Sequence, residues 1–95
     1  MPENKVKLHV LKIQEEFYIE VLRGDKKAEL RNNDRNFQVG DLIHFTDVDG
    51  YEFPIETAKL GYTTTYRITH ILDASVVIPD IKENKYVILS IERVI

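Results

Sequence analysis

The absences in this sequence remove several classes of protein. The 95-residue chain has no cysteine, which excludes disulfides and thiolate metal sites and agrees with a reducing cytoplasm. No run approaches the roughly 18 apolar residues of a membrane span, and "MPENKVK" at the N-terminus has no apolar signal segment. Only four glycines are present, and they form no glycine-rich phosphate loop. We therefore expect a cytoplasmic chain without a membrane partner.

Metal and cofactor sites are not predicted either. The three histidines, His9, His44 and His70, each lie within a strand pattern, and none has a second ligand at H-E-x-x-H spacing. The two aspartates of "DVDG" (47–50) faintly resemble a calcium loop, but no glutamate follows at the required offset. No serine or cysteine lies in a G-x-S-x-G elbow. The histidines are interpreted as hydrogen-bonded strand residues, and no cofactor is expected.

Charge is unevenly distributed along the chain. The 13 basic and 16 acidic side chains give a formal net charge of −3, so the whole molecule is not attracted to polyanions. Residues 23–35 carry five basic and three acidic side chains, a local net charge of +2, whereas residues 47–56 contain no lysine or arginine. The basic segment is either a solvated face or a binding edge.

The N-terminal quarter predicts one strand followed by one helix. "KVKLHV" (5–10) alternates polar and apolar residues, which predicts a half-buried strand with Val6, Leu8 and Val10 on one face. "QEEFYIEVLRG" (14–24) places Phe17, Tyr18, Val21 and Leu22 on one helical stripe. Gly24 is positioned to end this helix in the left-handed conformation.

The remainder of the chain predicts strands and turns. "KKAELR" (26–31) has Ala28 and Leu30 on one face, and strands are predicted at 41–47, 61–72 and 86–94. "NDRNFQVGD" (33–41) is interpreted as a turn anchored by Phe37 and Val39. "DVDGY" predicts a tight hairpin turn, and residues 73–84 predict a loop. On the predicted 61–72 strand, one face collects Tyr62, Thr64, Tyr66, Ile68, His70 and Leu72.

Together these elements predict one domain over residues 1–95, of the α+β class and mainly β. Many strands and little helix in a small domain favour a closed or nearly closed barrel, because closure removes exposed sheet edges. We expect about five or six strands, with the main N-terminal helix at one end.

The segment "GDKKAELR" (24–31) carries the candidate site. On a strand, Lys27, Glu29 and Arg31 share one face, and Lys26 at its start can reach either side. Arginine can donate two hydrogen bonds to an anion or a base edge, and glutamate can accept from an amino group. Alternatively, a lysine beside a glutamate could transfer protons in hydrolysis. The simplest alternative is an exposed ion pair worth roughly 0–1 kcal/mol.

Gly24-x-Lys26-x-x-Glu29-x-Arg31, followed by "NDRNFQVGD", resembles the ASCH (activating signal cointegrator homology) domain family, a branch of the PUA-like barrels. The chain is most similar to a small bacterial and phage-associated subfamily of unknown function, also in its opening "KLHVLKIQEEFYIEVLRG" and closing "YVILSI". The resemblance implies a PUA-like barrel with a cleft beside the helix, lined by this strand. It also implies binding of RNA or an RNA-related ligand.

Two branches of the ASCH family imply catalysis. One is an amidohydrolase of acetylated cytidine that uses a threonine, a lysine and a glutamate, and another has ribonuclease activity. Lys26 matches the lysine, but the threonine position is here Glu29. A carboxylate does not replace the hydroxyl in that mechanism, and the third partner is not matched to a residue.

Three functions therefore remain open. The leading hypothesis is an RNA- or nucleotide-binding module in which Lys26 and Arg31 contact phosphate or a carbonyl oxygen, Glu29 accepts from a base amino group, and Arg35 lies at the cleft rim. The second is a hydrolase of modified nucleosides or RNA with Lys26 and Glu29 as its catalytic pair. The third is a protein-interaction domain, which a dimer burying the 24–35 segment would favour. The sequence does not fix the oligomeric state.

Overall fold

A curled sheet and one helix make up the described part of the protein. The computed structural model describes residues 5–53, 65–74 and 86–94. Its elements are β1 (Leu8–Lys12), α1 (Glu15–Leu22), β2 (Ala28–Asn32), β3 (Leu42–Thr46), β4 (Thr65–Asp73) and β5 (Tyr86–Arg93). This confirms the prediction of a mainly β, α+β fold with an N-terminal helix. Within these ranges, no helix has the length and apolar character needed to cross a membrane.

The strand order is β1-β3-β4-β5-β2, and the sheet curls into a half-barrel. β1 runs parallel to β3, while the other three neighbouring pairs are antiparallel. A parallel pair needs a crossover connection, and here α1 and β2 lie between β1 and β3 in the chain. As a result, β1 and β2 become the two edges of the sheet.

Two arginines connect these edge strands. The Arg31 Nη2 atom on β2 donates to the Lys12 carbonyl oxygen on β1 at 2.7 Å. The Arg35 Nη1 atom donates to the Val10 carbonyl oxygen at 2.9 Å. We call this junction, formed by Arg31, Arg35 and the two β1 carbonyls, the seam. Its guanidinium groups occupy acceptors that an unpaired edge would otherwise present to other chains.

The core lies between the concave face of the sheet and α1. Its buried apolar residues are Leu11, Ile13, Tyr18, Val21, Leu22, Phe37, Ile43, Phe45, Tyr66, Ile68, Val87, Leu89 and Ile91. Tyr18 of α1 stacks on Phe53, with ring centroids 4.1 Å apart and an interplanar angle of 16°. An eight-residue helix is too short to be stable alone in water, so this packing is what holds α1.

The end of α1 has the geometry of a Schellman motif. Gly24 adopts a φ of +80° and donates its N–H to the Val21 carbonyl oxygen at 3.0 Å. The Asp25 N–H reaches the Glu20 carbonyl oxygen at 2.9 Å, and the Lys26 N–H follows it at 3.1 Å. The predicted role of Gly24 is confirmed. The backbone that carries Lys26 is thereby fixed to the end of the helix.

In β1 and β2, the face that the alternation of apolar residues predicts to be buried is the one exposed to solvent. Val6, Leu8 and Val10 are exposed, while His9 and Leu11 point into the core. On β2, Leu30 is 52% exposed and Glu29 only 6%. The inward polar groups have partners: His9 bonds to Asp41, and Glu29 contacts two cations. These contacts outweigh the apolar alternation. Phe17 and Val39, expected to pack inward, are likewise exposed.

The predictions for the later strands agree better with the structure. β3 and β5 lie where expected, and β5 buries Val87, Leu89 and Ile91. β4 buries Tyr66 and Ile68, but a register shift between Ile68 and His70 ends the predicted face there and leaves His70 exposed. The predicted turn at 47–51 is confirmed by the 3.0 Å bond from the Gly50 N–H to the Asp47 carbonyl oxygen. Residues 61–64, and the predicted loop beyond Ala74, lie outside the described residues.

Candidate functional site

Three of the residues predicted for the site converge on one another. Lys26 Nζ contacts Glu29 Oε1 and also donates to the Ala28 carbonyl oxygen at 2.5 Å. Arg31 Nε and Nη2 lie 2.8 and 2.6 Å from Glu29 Oε2. The Glu29 side chain is 8% exposed, whereas those of Lys26 and Arg31 are 26% and 23% exposed. We call Lys26, Glu29 and Arg31 the Glu29 cluster.

The Glu29 cluster is already internally satisfied. Both carboxylate oxygens of Glu29 already contact a cation and the side chain is 8% exposed, so a ligand has little access to them. Arg31 is further committed to the seam, as is Arg35. The arrangement is a buried ion triad that fixes β2 against β1, with Lys26 at its more solvent-accessible end.

A cleft of about 310 Å³ lies beside the end of α1. Its walls are formed by Val21, Gly24, Lys26, Lys27, Tyr66, Ile91, Glu92 and Arg93. We call it the helix-side cleft. Lys26 is the predicted site residue that lines it, while Glu29, Arg31 and Arg35 are not among its described lining residues. Among these described wall residues, three are cations and one is a carboxylate, and they meet over an apolar base.

The fold brings these cations together from opposite ends of the chain. The Lys27 carbonyl oxygen accepts the Ile91 N–H at 3.0 Å, which fixes the start of β2 against β5. The Arg93 Nη2 atom donates to the Leu22 carbonyl oxygen, one of the acceptors left free at the C-terminus of α1. A cation is also favoured there by the helix dipole.

The family can be assigned from sequence comparison. Residues 8–91 match a family described as "Domain of unknown function (DUF3850)". The chain belongs to this family. A search of curated proteins finds no match. The match runs from the first residue of β1 into β5, so the DUF3850 region contains α1, the Glu29 cluster and most of the helix-side cleft.

Two buried tyrosine hydroxyls lie in the core of this DUF3850 domain near the cleft. Neither Tyr18 nor Tyr66 has a hydrogen-bond partner for its hydroxyl oxygen within the part of the chain that the structure describes. Burial raises the pKa of both groups, and for Tyr66 the nearby Arg93 guanidinium only partly opposes this. Both are therefore neutral hydrogen-bond donors at physiological pH. Tyr66, which the sequence places on one face of the predicted 61–72 strand, is buried in the core and also lines the cleft.

A second buried polar pair joins β1 to the turn before β3. His9 Nε2 lies 2.8 Å from Asp41 Oδ2, which also accepts the Gln38 N–H at 3.1 Å, and Asp41 Oδ1 accepts the Lys7 N–H at 3.3 Å. Burial by itself would raise the pKa of the Asp41 carboxyl, but these hydrogen bonds together hold that pKa below its usual value. The His9 ring also packs on Phe37, with centroids 4.7 Å apart. The pair anchors the turn, as expected for a hydrogen-bonded strand histidine.

Acidic residues of the DUF3850 domain stabilise the turn that follows β3. A depression there is lined by Gln14, Glu15, Asp47, Val48, Asp49 and Phe53. Asp47 Oδ1 accepts the N–H groups of Asp49 and Tyr51 at 2.9 Å each, which stabilises the turn. Among the described residues, no group of three histidines or carboxylates is arranged to hold a metal ion.

Proposed function

We propose that this DUF3850 domain is an RNA- or nucleotide-binding module of the ASCH, PUA-like type, and that the helix-side cleft is its binding site. The observation that carries the proposal is the meeting of Lys26, Lys27 and Arg93 over an apolar base. A volume of about 310 Å³ lies at the lower end of the roughly 300–1,000 Å³ typical of ligand pockets. It suits one nucleotide or the end of a single strand. A cytoplasmic location would expose the domain to such ligands.

In this proposal the ligand contacts fall to other residues than in the sequence hypothesis. Lys27 is exposed and can turn toward an anion, and the exposed Arg93 is held beside the cleft by the Leu22 carbonyl oxygen, whereas Arg31 and Arg35 lie at the seam. Lys26 is oriented by Glu29, which offsets part of its charge. Glu92, the carboxylate among the described wall residues, has its Oε1 atom 3.1 Å from Arg67 Nη1. The exposed lysine and arginine therefore supply most of the attraction for phosphate in this proposal.

Binding can be tested with short single-stranded RNA and nucleoside monophosphates at low salt. Lys27→Ala is expected to weaken binding roughly tenfold, because a hydrogen bond to a charged group contributes about 1.5–3 kcal/mol before solvent screening. The log–log salt slope should be about −0.7 for each phosphate contact on a single strand. Fluorescence anisotropy and titration calorimetry would measure both.

Lys7→Ala is the matched control, because Lys7 is an exposed lysine that does not line the cleft. Its removal should leave affinity nearly unchanged. Absence of binding by every probe at low salt, or equal losses in the two variants, would contradict the proposal.

A second candidate function is protein interaction. Val6, Leu8 and Val10 on one side of the seam, and Leu30 on the other, are between 46% and 59% exposed. We call these four residues the outer apolar patch. Contiguous exposed apolar surface is typical of interaction sites. The simplest partner that accounts for it is a second copy of the chain.

The double variant Leu8→Thr/Leu30→Thr tests this second candidate. Because both side chains already face water, the free energy of unfolding should change by no more than about 0.5 kcal/mol per site. Sedimentation should show a concentration-dependent dimer for the wild type and a monomer for the variant. Val48→Thr replaces an exposed valine outside the patch and should leave the dimer intact. A monomeric wild type would reject self-association.

A further inference from the structure

The Tyr66 hydroxyl is a buried hydrogen-bond donor for which the described residues supply no acceptor. Tyr66 is 3% exposed, lines the helix-side cleft, and has no partner for its hydroxyl among the described residues. Buried polar groups without a partner are uncommon in folded proteins, because losing water without a replacement bond is unfavourable. An acceptor supplied from outside the chain would complete this group.

The charges around this hydroxyl specify an anionic acceptor. Lys26, Lys27 and Arg93 share the cleft with it, and Glu92 is paired with Arg67. Arg93 uses Nη2 for the Leu22 carbonyl oxygen, and the same guanidinium group lies beside the Tyr66 hydroxyl oxygen. A neighbouring cation can donate a hydrogen bond to the phenol oxygen, but the O–H proton needs an acceptor, which an oxyanion attracted by these cations supplies.

We propose that the base of the helix-side cleft binds the phosphate monoester of a nucleotide, with the Tyr66 hydroxyl donating to a phosphate oxygen and Lys27 and Arg93 balancing its charge. This inference rests on the proposed function and specifies which part of the ligand is recognised. Because the hydroxyl oxygen is buried, phosphate binding in this proposal requires side chains of the cleft wall to move and expose it. The base and ribose then lie toward the cleft mouth.

The test compares Tyr66→Phe with the wild type in calorimetric titrations of adenosine 5′-monophosphate, adenosine and inorganic phosphate. The variant should bind the monophosphate and inorganic phosphate about tenfold more weakly or worse, since it loses a hydrogen bond to a charged group. Its affinity for adenosine should not change. Its thermal midpoint should be equal or higher, because the substitution removes a buried hydroxyl that has no partner.

Tyr18→Phe is the matched control, because it removes the other buried, unpartnered hydroxyl from a tyrosine that does not line the cleft. It should leave phosphate affinity unchanged. If adenosine binds as tightly as its monophosphate, or if both variants lose affinity equally, the phosphate assignment is overturned while the nucleotide-binding proposal stands. If no probe binds the wild type, the phosphate assignment is overturned, and if short single-stranded RNA does not bind either, the proposed function is overturned with it.

Discussion

Replacing Arg31 with alanine is expected to lower the free energy of unfolding by about 2–4 kcal/mol, as when one partner of a largely buried ion pair is removed. The substitution removes two close contacts to Glu29 and the bond to the Lys12 carbonyl oxygen. Glu29, 6% exposed, would retain Lys26 as its one cation in the cluster. Urea unfolding followed by circular dichroism would measure the loss.

Two further variants separate charge from geometry in this experiment. Arg31→Lys restores the charge but not the planar group that reaches both Glu29 and the seam, so it should recover only part of the stability. Arg35→Ala removes an exposed arginine that makes one carbonyl bond, with an expected loss of about 0.5–1 kcal/mol. If Arg31→Ala is no more destabilising than Arg35→Ala, the buried triad does not stabilise the fold as argued.

The Arg31 result also distinguishes structural from ligand-binding roles. The sequence hypothesis, in which Arg31 contacts the ligand, predicts weaker binding without unfolding. The contacts in the structure predict the reverse for Arg31→Ala. The free energy of unfolding should fall, whereas ligand affinity should be largely retained when binding is measured well below the temperature at which the variant unfolds. Lys27→Ala should show weaker binding at nearly unchanged stability.

The helix and the later strands could be predicted because the periodic apolar residues in these segments are the residues that are buried. On β5, Val87, Leu89 and Ile91 alternate with exposed or half-buried residues, and all three are in the core. α1 combines an apolar stripe with a glycine at the position that ends a helix, and both signals are local. Such patterns need no knowledge of which strands become neighbours.

The faces of β1 and β2 could not be read in the same way. Their inward residues include His9 and Glu29, whose burial depends on partners elsewhere in the fold. Asp41 is 32 positions from His9, and the seam joins Arg31 to a carbonyl 19 positions away. Both edge strands also carry apolar residues outward, so their alternation favours the wrong face. Tertiary contacts decided the orientation, as is common for β-strands.

The candidate site was predictable only in part for the same reason. Lys26 belongs to a compact motif and lies in the cleft wall. Arg93 and Tyr66 reach that cleft through the sheet order and the docking of α1, and Arg93 contacts a carbonyl 71 positions earlier. The sequence shows only that Arg93 lies at the end of an apolar strand. That position does not indicate which residues its guanidinium group contacts in the fold.

Asp41→Ala is expected to lower the free energy of unfolding at neutral pH by about 3 kcal/mol, because it removes several hydrogen bonds to one charged acceptor. The acceptor serves His9 and the N–H groups of Lys7 and Gln38, and its loss leaves the buried His9 ring without this partner. Asp34→Ala removes an exposed aspartate from the same turn and should change stability by about 0.5 kcal/mol or less. Equal effects of the two substitutions would show that the buried carboxylate does not anchor β1.

The same carboxyl group makes a specific pH dependence expected. Since the folded state holds the pKa of Asp41 below its usual value, its contribution is fully present above the unfolded pKa of about 3.9 and is lost as the pH falls through the folded pKa. Asp41→Asn has no carboxyl at this position, so its deficit relative to the wild type should shrink as the pH is lowered from 7 to below 4. Unfolding curves at several pH values would measure this convergence. A constant difference across that range would mean that the Asp41 contacts do not favour its ionised form.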